Sequence, residues 1–442
     1  MKILKNFINK IFLHINKPYV LIHPEIIPVL ISYKALVENI FWLSINKKIK
    51  NAFIYLAKFI FKIFFDLIKI IYLPISVYFY FSKYRFIQVD YSQIGTFGHQ
   101  LQVMVKYNHL RNKKSLIFVP RTHIRSHIKK IFSNLKIIDS MILNILAQPL
   151  IQTNFISCEV TNAECLYERD GKKIGRNYPT QIIQTFEEKF GNSLHLFDLK
   201  LQYIKEMEKF FTSKFKNFDI QKTIVLHVRD ESFLATSYLR GASLENYFPT
   251  INYLLDNNYF VIRLIHSKSK KLRFSNNYAE LDTNEVFNQF FQYYLIAKCK
   301  GFINCHSGPG SLGALMNTPM LAVNIFYPYT FATKKNDIYL LKRIKNRDNK
   351  IVNYIELFNK DFYDKYAVSQ TKMSQYGYVA LENTKDEILE ATKEFLEINK
   401  GNFCNLNKDQ KSFIKNIPQT SCFRYLDSRI SCYFQKKYPE LF

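Results

Sequence analysis

Three short segments carry the side chains with the clearest chemical potential. They are residues 94–100, which hold two glycines and a histidine, residues 225–231, which hold an Arg-Asp pair, and residues 305–313, which hold glycines and serines. Histidine titrates near neutral pH and can act as a general base. Arginine offers a planar fork of donors to a diphosphate, and free amides at a helix start bind anions. Together these residue types suit a phosphate-bearing substrate with a proton acceptor beside it.

In the first segment, Gly95 and Gly98 are expected to let the backbone approach a ligand. His99 and Gln100 would then lie on the first turn of the following helix, where a sugar hydroxyl or an anion binds readily. We interpret His99 as a candidate general base. A structural turn with a capping histidine is the alternative.

The second segment ends a predicted strand, which leaves Arg229 and Asp230 at its carboxyl end. Arg229 would stabilise negative charge on a departing phosphate. Asp230 would orient Arg229 or contact a sugar hydroxyl. A partly exposed structural ion pair is the alternative.

The third segment follows a strand and opens a helix. Its amides, together with the Ser307 and Ser311 hydroxyls, predict a phosphate cradle around His306, Gly308 and Gly310.

The same segment also matches the G-x-G-x-x-G string of dinucleotide-binding domains, so a dehydrogenase has to be weighed. That fingerprint places an acid about 20 residues further on, at the end of the next strand. Here the next predicted strand ends at Asn324 and the first later acid is Asp337. The context therefore disfavours a nicotinamide or flavin cofactor.

The pattern around these segments alternates strands with helices. Strands are predicted at 86–91, 115–119, 223–228, 259–265, 301–305 and 320–324, and helices at 98–110, 178–190, 199–215, 244–257, 285–298 and from about 310. Thr384 and Glu387 form a capping box for a further helix. Such alternation predicts an α/β fold with two doubly wound domains, in which ligands bind at the carboxyl ends of the strands.

Residues 1–85 differ from the rest, with thirteen Lys or Arg against three acids among long apolar runs. Between 52 and 81 the four charges are spaced as one narrow polar stripe of a helix. The longest uncharged run, 70–82, is shorter than the ~20 residues that span a bilayer. We expect a helical segment that associates with an anionic membrane surface. A helical cap packed on the domains is the alternative.

Composition narrows the class of protein further. With 442 residues and 48% hydrophobic residues, the chain is neither disordered nor a disulfide-stapled miniprotein. Its 62 Lys or Arg against 36 Asp or Glu, a net charge of +26, suit polyanions or an anionic membrane. An AT-rich genome also produces a lysine-rich composition, whatever the function. No recognition-helix or RNA-binding signature accompanies the charge, so nucleic acid is not an expected partner.

The sequence contains few signs of a metal site. The seven cysteines are odd in number and form no C-x-x-C pair, which argues for a reducing, cytoplasmic setting. His123 and His127 are four apart in a basic stretch that we interpret as a solvated helix or an anion patch. There is no D-x-D triplet, and Glu280 with Asp282 is interpreted as a solvated loop.

Taken in order, the three segments resemble the fucosyltransferase-like superfamily of GT-B glycosyltransferases, and more closely a bacterial glycosyltransferase family related to it. Residues 94–100 resemble its first glycine loop, with His99 in place of an Asn. Residues 226–230 resemble its H-x-R strand end, whose Arg binds the donor diphosphate. Residues 305–310 resemble its Ser-rich donor loop, and Arg240, Tyr247 and Tyr259–Arg263 also resemble family blocks. The resemblance covers about residues 86–395.

The resemblance implies a GT-B-like pair of Rossmann-like domains. The expected organisation is a membrane-associated segment at 1–85, an acceptor domain at 86–215, a nucleotide-sugar donor domain at 216–400 and a C-terminal tail at 401–442. The expected catalytic residues are His99, Arg229 and Asp230. The expected donor-binding residues are Gly95, Gly98, Gln100, Arg229, Arg240, Arg263, His306, Ser307, Gly308, Gly310 and Ser311.

The implied activity is metal-independent, inverting transfer of a sugar to a glycan or lipid-linked acceptor in bacterial surface polysaccharide synthesis, at the inner face of the cytoplasmic membrane. The nucleotide sugar is a co-substrate, with GDP the superfamily's usual nucleotide, and no further cofactor is expected. An NAD-dependent Rossmann oxidoreductase and a non-catalytic basic protein that binds membranes or nucleic acid stay as alternatives.

Overall fold

The structure, a computed structural model, describes most of the chain from residue 71 onward and isolated helical positions before it. The described residues are 56, 60, 63, 67–68, 70–89, 94–119, 128–151, 167–169, 172–174, 178–191, 194–230, 239–283, 286–326, 334–359, 362, 370–402, 408–417 and 428–442. The chain divides into two compact units. The first unit comprises 1–89, 107–129 and 135–161, and the second unit comprises 90–106, 130–134 and 162–442.

The first unit contains a three-stranded parallel sheet. Its strands are β1 (Tyr84–Gln88), β2 (Lys114–Phe118) and β3 (Lys136–Ile138), paired in that order. The helices in and around it are α1 (Leu73–Phe81), α2 (Ile94–Leu110), α3 (Ile128–Ile131), α4 (Met141–Leu146) and α5 (Gln148–Ile151). Helix α2 joins β1 to β2, which confirms the predicted βαβ unit.

An aromatic core holds the first unit together. The Phe86 ring lies 4.8 Å from Phe79 of α1 and 5.0 Å from Phe118 of β2. Leu150 of α5 is buried in the same cluster. One face of α1 is therefore packed on the sheet.

The other face of α1 and most of the described helical positions before it are apolar and exposed. Every described position between Leu56 and Ile71 is helical. We call the exposed residues the apolar stripe, and they are Leu56, Ile60, Ile63, Leu67, Ile70, Ile71, Ile75, Tyr78 and Phe81. Among the residues that the structure describes, no helix combines the length and the apolarity needed to cross a bilayer. Residues 1–55 of the predicted membrane segment lie outside the described residues.

The second unit is built on a seven-stranded sheet in which every pairing is parallel. Its strands are β6 (Thr223–His227), β7 (Phe260–Ile265), β8 (Tyr278–Asp282), β9 (Gly301–Asn304), β10 (Met320–Ile325), β11 (Ile338–Leu341) and β14 (Arg429–Ile430), in the order β14-β11-β10-β9-β6-β7-β8. The unit also contains two separate antiparallel pairs, β4 (Tyr167–Arg169) with β5 (Lys172–Ile174), and β12 (Arg343–Lys345) with β13 (Val379–Leu381).

Helices separate these strands along the chain. They are α6 (Tyr178–Phe190), α7 (Leu201–Lys214), α8 (Phe248–Asp256), α9 (Val286–Lys298), α10 (Pro309–Leu315), α11 (Tyr354–Asn359), α12 (Gln370–Gln375), α13 (Lys385–Asn399), α14 (Lys408–Asn416) and α15 (Cys432–Lys437). Strands β6, β7, β9, β10 and β11 are buried at every position, which is why they read as continuous apolar runs. The predicted strands and helices of this region are confirmed, with ends shifted by a few residues.

Two expectations about the edges of this sheet differ from the structure. Glu280 and Asp282 belong to strand β8, so interpreting them as a solvated loop was wrong. The segment 401–442, expected as a tail, contributes the edge strand β14 beside β11. Both elements are short, and pairing with a buried neighbour rather than local propensity makes them strands.

Glu387 ties this C-terminal segment to α13. The capping box with Thr384 is formed as predicted, and the Glu387 carboxylate also accepts a hydrogen bond from the Tyr438 hydroxyl at 2.6 Å. Lys437 and Arg343 lie 3.3 and 3.6 Å from the same oxygen. Burial alone raises the pKa of Glu387, but these donors and cations outweigh it and lower that pKa below 4.5.

We expect Glu387→Gln to lower the free energy of unfolding by about 1–3 kcal/mol, because a neutral amide loses the charge-assisted bonds. The contribution of a carboxylate with a lowered folded-state pKa is present above its unfolded value and lost as pH falls through the folded value. Urea unfolding at neutral and acidic pH measures this. Glu397→Gln, which removes an exposed pair with Lys400 on the same helix, is the control and should stay within about 0.5 kcal/mol. Equal effects of the two variants would contradict the anchoring role.

Candidate anion-binding site

The second and third predicted segments meet at the carboxyl edge of the seven-stranded sheet. Strands β6 and β9 are neighbours, with His227 opposite Asn304. The His227 Nε2 atom lies 2.9 Å from the Ser307 hydroxyl oxygen, and the Arg229 amide donates to the Cys305 sulfur at 3.0 Å. The two loops thus form one continuous surface at this edge.

The first segment joins them through its glycines. A Cβ atom on Gly95 would lie 2.6 Å from the Gly308 Cα, and one on Gly98 would lie 3.2 Å from the Leu312 side chain. Helix α2 already begins at Ile94, so both glycines are helical. The predicted loop at Gly95 is therefore part of the helix, whose start at about Gly98 was expected three to four residues too late. Both glycines let α2 pack closely on α10 and the turn before it.

His99 and Gln100 follow these glycines on α2. Burial lowers the pKa of His99 to about 4, so its imidazole is neutral at physiological pH. Gln100 is buried. The structure therefore places a neutral imidazole on the helix that packs against the Gly308 turn.

Three cations gather at the Cys305–His306 turn. Arg229 follows β6, Arg240 donates from Nε to the His306 carbonyl at 3.0 Å, and the buried Lys342 donates from Nζ to the Gly241 carbonyl at 2.7 Å. We call Arg229, Arg240 and Lys342 the cation cluster.

The positive charge of this cluster affects the pKa values of the neighbouring His306 and Cys305 side chains. Burial and then the charges of Arg240, Lys342 and Arg229 lower the pKa of His306 to about 3. Burial raises the pKa of the Cys305 thiol to about 11, although the same cations oppose it. Both groups are therefore neutral near pH 7. Burial and the proximity of Arg240 also lower the pKa of Arg229.

An acid does lie near one edge of the cluster. Burial lowers the pKa of Lys342, and Glu382 raises it. The Glu382 carboxylate also accepts from the Ser243 amide at 2.7 Å. Like charges gathered in a partly buried site favour the binding of an anion.

Asp230 and Arg263 are bound to each other. The Arg263 Nη2 donates to Asp230 at 2.6 Å, and Nη1 donates to Glu280 at 2.9 Å. Ser269 contacts the second Asp230 oxygen at 3.2 Å. The Arg263 side chain has no exposed surface. The structure thus gives Arg263 an ion-pair role inside the sheet, and this network supports the loop that presents Arg229.

The remaining predicted site residues line the turn and α10. Ser307 and Ser311 are buried, and backbone atoms of Ser311 face Gly98. The His227 Nδ1 lies 3.2 Å from the Leu264 carbonyl, which only accepts hydrogen bonds, so we assign the proton to Nδ1. Nε2 then accepts the Ser307 proton, and that hydroxyl is directed at the imidazole. Gly308 and Gly310 lie at the helix start.

Lys342 is the member of the site that sequence reasoning missed. It follows β11, a four-residue strand that was not predicted. The available signal was the apolar run Ile338–Leu341 ending in a lysine, the same strand-then-cation pattern that singled out Arg229.

Among the described residues, no three His, Cys, Asp or Glu side chains cluster as metal ligands would. His123 and His127 lie outside the described residues.

No protein-family model matches the sequence, and no curated protein is significantly similar to it. Three solved structures resemble the chain. They are the E. coli ADP-heptose LPS heptosyltransferase II (TM-score 0.40, 11% identity, covering 72% of this chain and 99% of that one), a family 9 glycosyl transferase of Veillonella parvula DSM 2008 (0.40, 11%, 71% and 97%) and the β-Kdo 2,4 transferase KpsC of Thermosulfurimonas dismutans (0.20, 9%, 34% and 52%). All three are sugar transferases by description. Scores this low do not place the chain in any of their families.

We expect Asp230→Asn to lower the free energy of unfolding by about 1.5–3 kcal/mol, because Arg263 loses the charge-assisted bond from Nη2 while Glu280 still pairs with Nη1. Denaturant unfolding measures this. The control is Glu245→Gln, which removes an exposed partner of Lys270 and should cost less than about 1 kcal/mol. If Asp230→Asn abolished activity without changing stability, the carboxylate would act on substrate directly.

Proposed function

We propose that the protein is a glycosyltransferase that moves a sugar from a nucleoside-diphosphate donor to a glycan or lipid-linked acceptor. The observation that carries the proposal is the cation cluster at the carboxyl edge of a parallel sheet, where α/β domains bind their ligands. Arg229, Arg240 and Lys342 provide three positive charges beside the neutral Cys305–His306 turn. A diphosphate has the charge and the acceptor oxygens to match them.

The cluster would act on the leaving group. In the transfer, the bond between the anomeric carbon and the diphosphate oxygen breaks with its electron pair staying on that oxygen. The acceptor hydroxyl oxygen bonds to the anomeric carbon and loses its proton to a base. Guanidinium and ammonium donors stabilise the charge that develops on the diphosphate. These side chains supply the stabilisation that a divalent ion gives in other transferases, which supports a metal-independent reaction.

His99 is the proposed proton acceptor. Its imidazole is neutral at physiological pH, as an acceptor requires, and it lies on the helix that packs against the Gly308 turn. Arg229 binds the diphosphate, while Asp230 positions that loop through Arg263. The GT-B arrangement, the inverting outcome and a GDP-linked donor remain part of this proposal.

The glycine string 308–313 supports packing better than dinucleotide binding. A Cβ on Gly308 would lie 3.0 Å from the Gly95 nitrogen, and one on Gly313 would lie 2.4 Å from the Met320 sulfur. Protein atoms occupy the space that these glycines leave. We therefore do not favour the oxidoreductase.

The proposal includes a peripheral position on the inner face of the cytoplasmic membrane, where a lipid-linked acceptor would be presented. The first unit has twenty Lys or Arg and five Asp or Glu, a net charge of +15 out of +26 for the chain. The same unit exposes the apolar stripe. Basic charge with an exposed apolar helix face suits an anionic bilayer surface.

Removing one cation should weaken diphosphate binding. We expect Arg229→Ala and Lys342→Met each to raise the Kd for the preferred nucleoside diphosphate at least tenfold, because each loses a charge-assisted contact of about 1.5–3 kcal/mol. Calorimetry with GDP, UDP and dTDP, without added metal, measures this. The exposed Lys350→Met is the matched control and should bind normally. Lys342→Arg should recover much of the affinity. Unchanged affinity in both charge-removing variants would refute the diphosphate site.

Substitution of His99 should separate turnover from binding. We expect His99→Ala to lower kcat more than donor affinity, because a base acts on the chemical step. Activity should fall as pH drops through about 4, where the imidazole becomes protonated, without a His99 inflection near 6.5. His99→Asn, which keeps a polar group without a proton acceptor of that kind, should be as impaired as His99→Ala. Recovery by Asn, or an equal loss of kcat and affinity in His99→Ala, would assign His99 to positioning instead.

A further inference from the structure

Helix α4 (Met141–Leu146) has its polarity reversed relative to an ordinary surface helix. Asn144 is 1% exposed, while Ile142 and Leu146 are 69% and 50% exposed. Leu143 and Ile145 are exposed to the same degree as Leu146. A surface helix normally turns its apolar side chains inward, so this arrangement leaves an apolar surface without cover.

Specific hydrogen bonds hold α4 in this orientation. The side-chain Nδ2 of Asn144 donates to the Ile138 carbonyl at 3.0 Å and to the Ser140 carbonyl at 2.8 Å. The Ser140 hydroxyl caps the helix by accepting from the Leu143 amide. The Asn144 carbonyl in turn accepts from the Gln148 side chain at 3.1 Å. The buried polar contacts fix the aliphatic side chains on the outside.

The apolar stripe and α4 belong to the same unit and adjoin the same core. Tyr72, which precedes α1, and Phe79 of α1 pack against the cluster that contains Phe86, Phe118 and Leu150. Leu150 belongs to α5, which follows α4. The first unit therefore presents two separate apolar helical surfaces. It also carries the +15 charge.

We propose that α4 is a second membrane-contact element, which inserts Ile142, Leu143, Ile145 and Leu146 into the interfacial layer of an anionic lipid bilayer. The basic charge of the unit selects this partner, since anionic headgroups attract Lys and Arg while the acyl boundary accepts aliphatic side chains. A six-residue helix is too short to span a bilayer, so the contact is in the plane of the surface. This inference does not depend on the transfer chemistry.

Tryptophan quenching by brominated lipids tests the insertion directly. The chain has one tryptophan, Trp42, so a Trp42→Phe background is silent. Ile142→Trp in the full chain then reports on α4, and Leu201→Trp is the matched control at a 66% exposed position of the second unit. Vesicles of phosphatidylcholine with phosphatidylglycerol, with and without brominated acyl chains, are the probe.

We expect strong quenching at position 142 with anionic vesicles, weak quenching with phosphatidylcholine alone, and little at position 201. Four results would overturn the proposal. The first is no binding to vesicles, and the second is binding to vesicles without quenching of the tryptophan at position 142. The third is a blue shift of that tryptophan that needs no lipid and grows with protein concentration. The fourth is a blue shift that depends on neither lipid nor protein concentration. The third would assign α4 to a second copy of the chain, and the fourth to cover by another part of the same chain.

A paired substitution separates this element from the donor site. We expect Ile142→Gln with Leu146→Gln to weaken partitioning onto anionic vesicles about tenfold, because two aliphatic side chains no longer enter the acyl boundary. Nucleoside-diphosphate affinity should be unchanged, whether or not the proposed donor site is correct. Leu201→Gln should leave partitioning unchanged. If the paired variant partitioned like the wild type, α4 would not be a membrane contact.

Discussion

Seven parallel strands end at one edge of the second unit's sheet, and this single constraint decides what can meet there. Parallel pairing sends every strand in the same direction, so residues that follow β6, β9 and β11 are brought together although they lie far apart in the chain. Arg229, the Cys305–His306 turn and Lys342 become neighbours for this reason. The shared direction of the strands thus concentrates positive charge at this edge, because Arg229 and Lys342 each come directly after a strand.

Close contact between glycines brings the remaining segment to this edge. Gly95 and Gly98 leave no Cβ between α2 and α10, and the Gln102 side chain, which donates to the Ala314 carbonyl at 3.1 Å, fixes the contact further along. Behind the edge, Asp230, Arg263 and Glu280 form a buried ion-pair network. The cations at the site therefore lie next to a buried network in which one guanidinium is held by two carboxylates.

Much of this fold could be predicted from the sequence, because fully buried strands appear as apolar runs and capping residues mark helix ends. The site was harder to predict. The sequence singled out Arg229 because it follows such a run, whereas the short apolar run before Lys342 was not recognised as a strand. Arg263 was expected at the donor, yet its carboxylate partner Glu280 lies 17 residues away on an edge strand with no apolar run. Pairings of this kind depend on sheet order, which local sequence does not encode.

Three histidines of the second unit have lowered pKa values, and this has a further consequence, which concerns proton linkage. Burial is the largest cause that lowers the pKa of His99 and His227 to about 4 and of His306 to about 3, whereas an unfolded chain binds protons on histidine near 6.5. As pH falls below 6.5, these histidines bind protons in the unfolded state, whereas in the folded state they stay neutral until about pH 4. Acidification over this interval therefore favours unfolding of the unit that contains the site, in proportion to the number of these imidazoles kept neutral.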